Sequence, residues 1–275
     1  MLRVDAAGKL IFPEWKCAGW RADVRRRTCR EKNESPRMNL RNAILAAAAF
    51  IGCAVHPPEI SRSQRLFQEG KREEAILLLE EAYLKNEKKT DRSVLAYYAA
   101  ELNQSVGNYG KAVFYRKKRI EILGKGAGFD SPEMMEAYNQ YGSALMHAGD
   151  TAEAAKVLDS LFRSVDVDRA KIRHAIYANL AELGLFQRRM DSADAHSAVA
   201  LRYAKADTEV SPLALFTCLF VRAKVLSALE DDGSEFKSLY QEISEKLWTT
   251  GGIGPKLKED VQEFLEKEKT KALVF

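Results

Sequence analysis

A short phrase recurs four times in this chain: a glycine or polar turn residue, a few polar residues, an alanine, then apolar residues at helical spacing. The copies read GKREEAILLLEEA from Gly70, GNYGKAVFYRKKR from Gly107, GDTAEAAKVLDSL from Gly149 and RRMDSADAHSAVA from Arg188. Their alanines, Ala75, Ala112, Ala154 and Ala193, are spaced by 37, 42 and 39 residues. Such a period constrains the fold strongly, because a single helix pair of this length cannot bury its own apolar stripe. Pairs must stack on one another, and the stack grows into a superhelix with a concave and a convex face.

The third copy shows the unit most completely, with Tyr138, Tyr141-Gly142, Leu145, Gly149, Ala154, Leu158 and Leu161. The fourth carries Tyr177, Leu180-Ala181, Gly184, Ala193 and Ala200, with Arg188 in place of the turn glycine. Small residues such as Gly142, Ala181, Ala154 and Ala193 allow two helices to cross closely. A glycine after the first helix takes the left-handed conformation that ends it. The first copy keeps its second helix (Ala75, Leu79, Ala82) but has a poor first helix, and the second has Arg116 and Arg119 where apolar residues are expected. A fifth pair, Leu219–Leu226 then Phe236–Leu247, keeps the helical pattern and loses the motif.

These residues resemble the tetratricopeptide repeat over residues 59–247. The spacing near 40 and the extra residues between repeats, as at Gly124–Pro132, resemble the longer repeats of kinesin light chains and their bacterial relatives. The expected fold is all-α, a tetratricopeptide-like superhelix of about five helix pairs over residues 54–250, ending in a capping helix. Ser131-Pro132-Glu133 is a helix start, with proline at the first helical position. Residues 251–275 open with the breaker GGIGP, and Leu257, Val261, Phe264 and Leu265 then form the stripe of the cap. GGIGP lacks the preceding strand and the GK[ST] ending of a phosphate loop.

Ahead of the repeats, the apolar run AILAAAAFIGCAV (Ala43–Val55) is 13 residues long. A membrane-spanning helix needs about 20, whereas the apolar core of a secretory signal needs about 7–15. Read from Met38, residues 38–53 resemble a bacterial lipoprotein signal ending at Cys53, with Phe50 where that family usually has leucine. The resemblance implies lipidation of the Cys53 thiol. Ala54 follows, and the family's sorting rule then gives an outer-membrane protein facing the periplasm. Residues 1–37 are expected to be a spurious or disordered extension upstream of the true start. The competing reading is a cytosolic adaptor whose apolar run is a buried first helix.

The formal net charge of +4 does not mark a nucleic-acid binder. Residues 1–53 hold eleven Lys/Arg and five Asp/Glu, which leaves 32 and 34 for residues 54–275. The body therefore lacks the concentrated positive face that phosphate binding requires, and Arg116-Lys117-Lys118-Arg119 reads as a solvated helix edge. Cys17, Cys29, Cys53 and Cys218 show no zinc-type spacing. His56, His147, His174 and His196 form no HExxH, and His196 with Asp191 and Asp194 is too few ligands for a metal. Asp166 and Asp168 are read as caps of a helix beginning near Arg169. No catalytic motif is present, and neither a cofactor nor a metal is expected.

In this family the first helix of each pair lines the concave groove and holds a peptide or protein segment. The matching positions are Tyr97 and Glu101 in the second copy, Asn139, Ser143 and Met146 in the third, and Asn179 and Glu182 in the fourth. The resemblance makes Asn139 and Asn179 the strongest candidates, because asparagine there bonds to a peptide backbone. The expectation is a protein-binding scaffold. Tetratricopeptide lipoproteins of this size resemble envelope assembly factors: secretin pilotins, outer-membrane assembly subunits or adaptors of cell-wall enzymes.

Overall fold

The computed structural model describes residues 57–124, 131–231 and 233–273, together with a short antiparallel pairing of Arg3–Val4 (β1) and Leu10–Ile11 (β2). The signal-like residues 38–53, Cys53 included, lie outside the described residues.

Eleven α-helices follow among the described residues, ten of them paired. The pairs are α1 (Pro58–Gln68) with α2 (Arg72–Lys85), and α3 (Lys89–Ser105) with α4 (Tyr109–Leu123). Next come α5 (Pro132–His147) with α6 (Thr151–Ser164), and α7 (Arg173–Phe186) with α8 (Met190–Ala206). The fifth pair is α9 (Pro212–Ala228) with α10 (Ser234–Thr249), and α11 (Pro255–Leu273) ends the array. Pro58, Pro132, Pro212 and Pro255 open four of these helices, where a missing N–H has no intrahelical partner to lose. Ser131 and Ser211 add true caps, their hydroxyls accepting from the Met134 and Ala214 amides at 3.1 Å.

One turn closes all five pairs. Gly70, Gly107, Gly149, Arg188 and Glu230 have φ of +82°, +85°, +89°, +58° and +58°. In each turn the next amide donates five residues back: Lys71 to Leu66, Asn108 to Asn103, Asp150 to Leu145, Arg189 to Gly184 and Asp231 to Leu226, all at 2.8–3.0 Å. This is the Schellman closure, which satisfies a carbonyl that the ending helix leaves orphaned. Seven residues before each turn stands a small buried residue: Ser63, Ala100, Gly142, Ala181 or Ala223. There the two helices of a pair come together. An ideal Cβ on Gly142 would lie 2.6 Å from Leu158 Cγ, so only hydrogen fits. The fifth pair thus keeps the turn and the crossing, with Glu235 at the position of the motif alanine.

Buried apolar residues gather in three clusters along the array, around Leu79, Leu95 and Tyr115 at one end, Leu158, Leu161 and Ile176 in the middle, and Phe216, Leu226, Phe236 and Val261 at the other. Two sequence expectations are corrected here. Arg116 and Arg119 are not a solvated edge, since both are buried. Their guanidinium groups lie over the Tyr97 ring, at 5.3 and 4.7 Å from its centroid. Glu101 takes Arg116, Glu136 takes Arg119 at 3.0 Å, and Gln140 Oε1 accepts from both arginines. The two charges survive burial because carboxylates and an aromatic face surround them.

Asp166 and Asp168 do not cap a helix at Arg169. A single 3-10 turn occupies Val167–Arg169 and α7 starts at Arg173. Asp166 pairs with Arg169 at 3.1 Å, and Asp168 Oδ1 accepts the hydroxyls of Tyr177 and Tyr203 at 3.0 and 2.9 Å. Burial first, and then that bond to Asp168, push the Tyr177 phenol up to about 12. The residues that lengthen this repeat are therefore pinned by one carboxylate to α7 and α8.

Candidate functional site

The first helices of the third, fourth and fifth pairs, α5, α7 and α9, lie side by side, and the turn register shows which first-helix residues correspond along the whole array. Six positions before each left-handed residue stand Gln64, Glu101, Ser143, Glu182 and Lys224. Around this row the structure places the expected groove residues in two groups.

The first group joins α3, α4 and α5. It holds Tyr97 and Glu101, both engaged by the buried arginines described above. Burial pushes the Tyr97 phenol well above its ordinary range, with the charge of Glu101 adding to it. Tyr97 and Glu101 thus serve as the seat of Arg116 and Arg119, and the sequence showed neither arginine as their partner.

The second group joins α5, α7 and α9. Asn179 Nδ2 donates to Asn139 Oδ1 at 2.8 Å and to the Asn139 carbonyl at 3.2 Å. This exchange uses the donors of Asn179 and the acceptors of Asn139. Asn139 is itself buried, at 5% exposure, and Asn179 is half-buried, so of the two it is Asn179, with its Oδ1 acceptor, that stands toward the groove. One turn further along, Glu182 is buried and accepts from the Lys224 amine, with His147 Nε2 3.9 Å from its other oxygen. Burial alone would raise the Glu182 carboxyl, but Lys224 and His147 outweigh it and hold the group below the usual carboxylate range. Tyr109 stacks on His147 with ring centroids 5.3 Å apart. Ser143 is half-buried on the same stretch of α5.

Met146 is a correction. It is 1% exposed, packed into the core beside Leu145 and Leu158, and offers no surface to a ligand. Helical periodicity carries it one position past the inner face, which His147 occupies instead. Reading residue by residue also missed Lys224. Its register follows from Glu230, which takes the left-handed turn that glycine marks in the first three copies.

Among the described residues no group of three His, Cys, Asp or Glu side chains converges as a metal site would need. Asp194 is committed to Arg222, which also forms a two-pronged pair with Glu235 at 2.9 and 3.1 Å. His196 meets Ser192 at 3.3 Å and the rings of Phe162 and Tyr177. Cys218 is buried, and burial, followed by the nearby charge of Glu182, pushes its thiol up to about 12. A thiol so protonated is a poor nucleophile. No helix among the described residues is long and apolar enough to cross a membrane.

Neither a family model nor a curated protein matches the chain. Solved structures do. BtubC (BKLC) from P. vanneervenii is 17% identical with a TM-score of 0.54, covering 78% of this chain and 88% of that one. A point variant of a Podosopora anserina kinesin light chain, with nearly identical TPR-like repeats, is 16% identical at a TM-score of 0.52, covering 70% and 94%. The fold is a tetratricopeptide-type superhelix. Bacillus thuringiensis PlcR, solved in complex with the peptide PapR7 and DNA, overlays with a TM-score of 0.55 at 12% identity, covering 88% and 86%. At these identities the likeness concerns the fold, and it is to the kinesin-light-chain type of repeat that the lengthened tetratricopeptide spacing pointed.

Proposed function

We propose that this chain is a non-enzymatic interaction scaffold, lipid-anchored through Cys53 in a bacterial envelope, that binds a protein or peptide segment in its concave groove. The observation that carries the binding site is the Asn179–Asn139 pair, in which the buried Asn139 holds the half-buried Asn179 across two neighbouring first helices, with the Asn179 amide oxygen suited to a backbone N–H. Support for a peptide as ligand comes from PlcR, a protein of similar fold solved with one. Support for the anchor is the apolar run ending at Gly52-Cys53. Two or more acyl chains at ~0.8 kcal/mol per buried CH₂ would hold such a protein at a membrane stably.

The charges in the groove are paired internally, Glu182 with Lys224 and Glu101 with Arg116. Lys224 is therefore not available to clamp a terminal carboxylate, and recognition rests on backbone amides and shape.

In-cell crosslinking and pull-down from separated membrane and soluble fractions of the native host tests both parts. The expected result is a membrane-enriched bait that becomes soluble as Cys53→Ala, with a reproducible partner. That partner is lost in the Asn139→Ala/Asn179→Ala variant at a temperature where circular dichroism shows the variant folded, although it unfolds somewhat earlier for want of the bonds between α5 and α7. A bait that is soluble with or without Cys53 removes the anchor. Undiminished binding by the double variant removes the groove.

A further inference from the structure

In a repeat array each unit ordinarily touches only its neighbours. This one does not. The start of α11 returns to the second pair, so the first and last parts of the superhelix meet. An ideal Cβ on Gly254 would lie 2.9 Å from Ser105 Cβ, at the end of α3, and one on Gly107 would lie 3.9 Å from Lys256 Cδ. Tyr109, which stacks on His147 beside Glu182, feels the charges of Asp260, Lys256 and Glu259 on the first turns of α11. The two ends therefore close next to the groove residues of α5 and α7.

The attachments of α11 are unequal. Its body is anchored: Val261 is fully buried, and Phe264 meets Phe220 edge-on at 5.4 Å and Phe236 at 6.5 Å. Tyr240 donates to the Leu265 carbonyl at 2.9 Å, and Lys271 reaches the Ser227 carbonyl at 3.5 Å. The start rests on α3 through the contact of small side chains and a lysine stem, while the Lys256 amine is engaged by Glu259 and Asp260 of its own helix. Gly251, Gly252 (φ +85°) and Gly254 precede it and let the turn from α10 lie close against Ser105.

We infer that the contact of Gly254 and Lys256 with Ser105 and Gly107 is a latch, whose opening widens the superhelix and admits a ligand to the concave groove. The inference rests on the groove being the binding face. Pro255–Leu273 is one unbroken helix, so its start leaves α3 when α11 and the fifth pair move together, and the core that joins them stays covered. A partner that binds the widened form then holds the latch open, and closing competes with binding.

The test locks the latch chemically. A disulfide needs Cβ atoms about 3.8 Å apart, within reach of positions 105 and 254 after a shift of under an ångström. Ser105→Cys/Gly254→Cys is combined with Ser143→Cys as a reporter on α5. The rate at which a polymer-linked maleimide labels position 143 is read by peptide mass spectrometry, so that the native cysteines do not interfere. In the oxidised protein labelling is expected to be at least about tenfold slower than in Ser143→Cys alone, equivalent to ~1.4 kcal/mol on the opening equilibrium. Gly254→Trp, which cannot seat against Ser105, is expected to speed it. Equal rates in locked, parent and Gly254→Trp proteins overturn the inference, as does failure of the two cysteines to join under oxidant. A gated reporter in a protein whose partner ignores Asn139 and Asn179 would leave the latch and sink the groove reading.

Discussion

Gly142 and Leu158 form the tightest helix crossing in the third pair, and their substitution distinguishes a packed crossing from a merely tolerated glycine. A methyl group at position 142 would stand 2.6 Å from Leu158 Cγ and Cδ2 and 3.3 Å from Cδ1. Carbon atoms in ordinary contact are ~3.5–4.0 Å apart, so Leu158 has to retreat by about an ångström. It is fully buried among Leu145, Leu161 and Ile176 and has nowhere to go. Overpacking of this kind costs about 1–3 kcal/mol, while alanine gains about 1 kcal/mol over glycine in helix propensity. The net expectation for Gly142→Ala is a loss of ~1 kcal/mol. Leu158→Ala alone loses ~2–5 kcal/mol through the cavity it leaves. In that background the sign reverses, because the new methyl enters free space and keeps its propensity gain. Gly142→Ala is then stabilising by ~1 kcal/mol, and the two sites couple by about 2 kcal/mol. Urea unfolding followed by far-UV circular dichroism reads all four proteins, with the midpoint compared at unchanged slope. If Gly142→Ala stabilises both backgrounds equally, the close crossing is not there and the register of the third repeat is wrong. Gly184→Ala supplies the contrast: its methyl would meet the backbone nitrogen and Cα of Ala193 at 3.0–3.1 Å, and no trimming of a side chain relieves that.

Arg188 and Glu230 hold left-handed turns that glycine holds elsewhere, and a residue with a Cβ pays ~1–2 kcal/mol there. Arg188→Gly and Glu230→Gly are each expected to stabilise by about 0.5–1 kcal/mol after the extra freedom of the unfolded glycine is subtracted; a lower urea midpoint for both would refute the turn assignment. Burial lowers the pKa of His174 and His196 below the ordinary histidine value. The unfolded chain then takes up protons that the folded one resists, so stability is full above about pH 6.5 and declines as pH falls below it. Replacing both histidines with glutamine should flatten that decline in urea midpoints measured from about pH 7.5 to about pH 5, and an unchanged slope would show that other groups cause it. Arg116→Ala opens a cavity beneath Tyr97, while Glu101, 43% exposed, is left to water, so the expected loss is ~2 kcal/mol from packing; a loss under about 1 kcal/mol would make this an ordinary surface pair.

The local sequence determined the repeating unit. Glycine turns and apolar stripes each act within a dozen residues and mark the helices, and their return with the alanines at 37–42-residue spacing requires helix pairs that stack. Ser131-Pro132 starts its helix where its chemistry says it should. Three matters were left to tertiary packing. Arg116 and Arg119 look like a solvated edge in the sequence, because the Tyr97 ring and the acids that hold them come from other helices. Lys224 belongs to the groove through a turn whose residue is Glu230, and nothing local reveals that this glutamate adopts a glycine's conformation. The approach of α11 to α3 depends on how the small rotation between successive pairs accumulates along the array. That sum is fixed by the packing of every interface at once, and no segment of the sequence contains it.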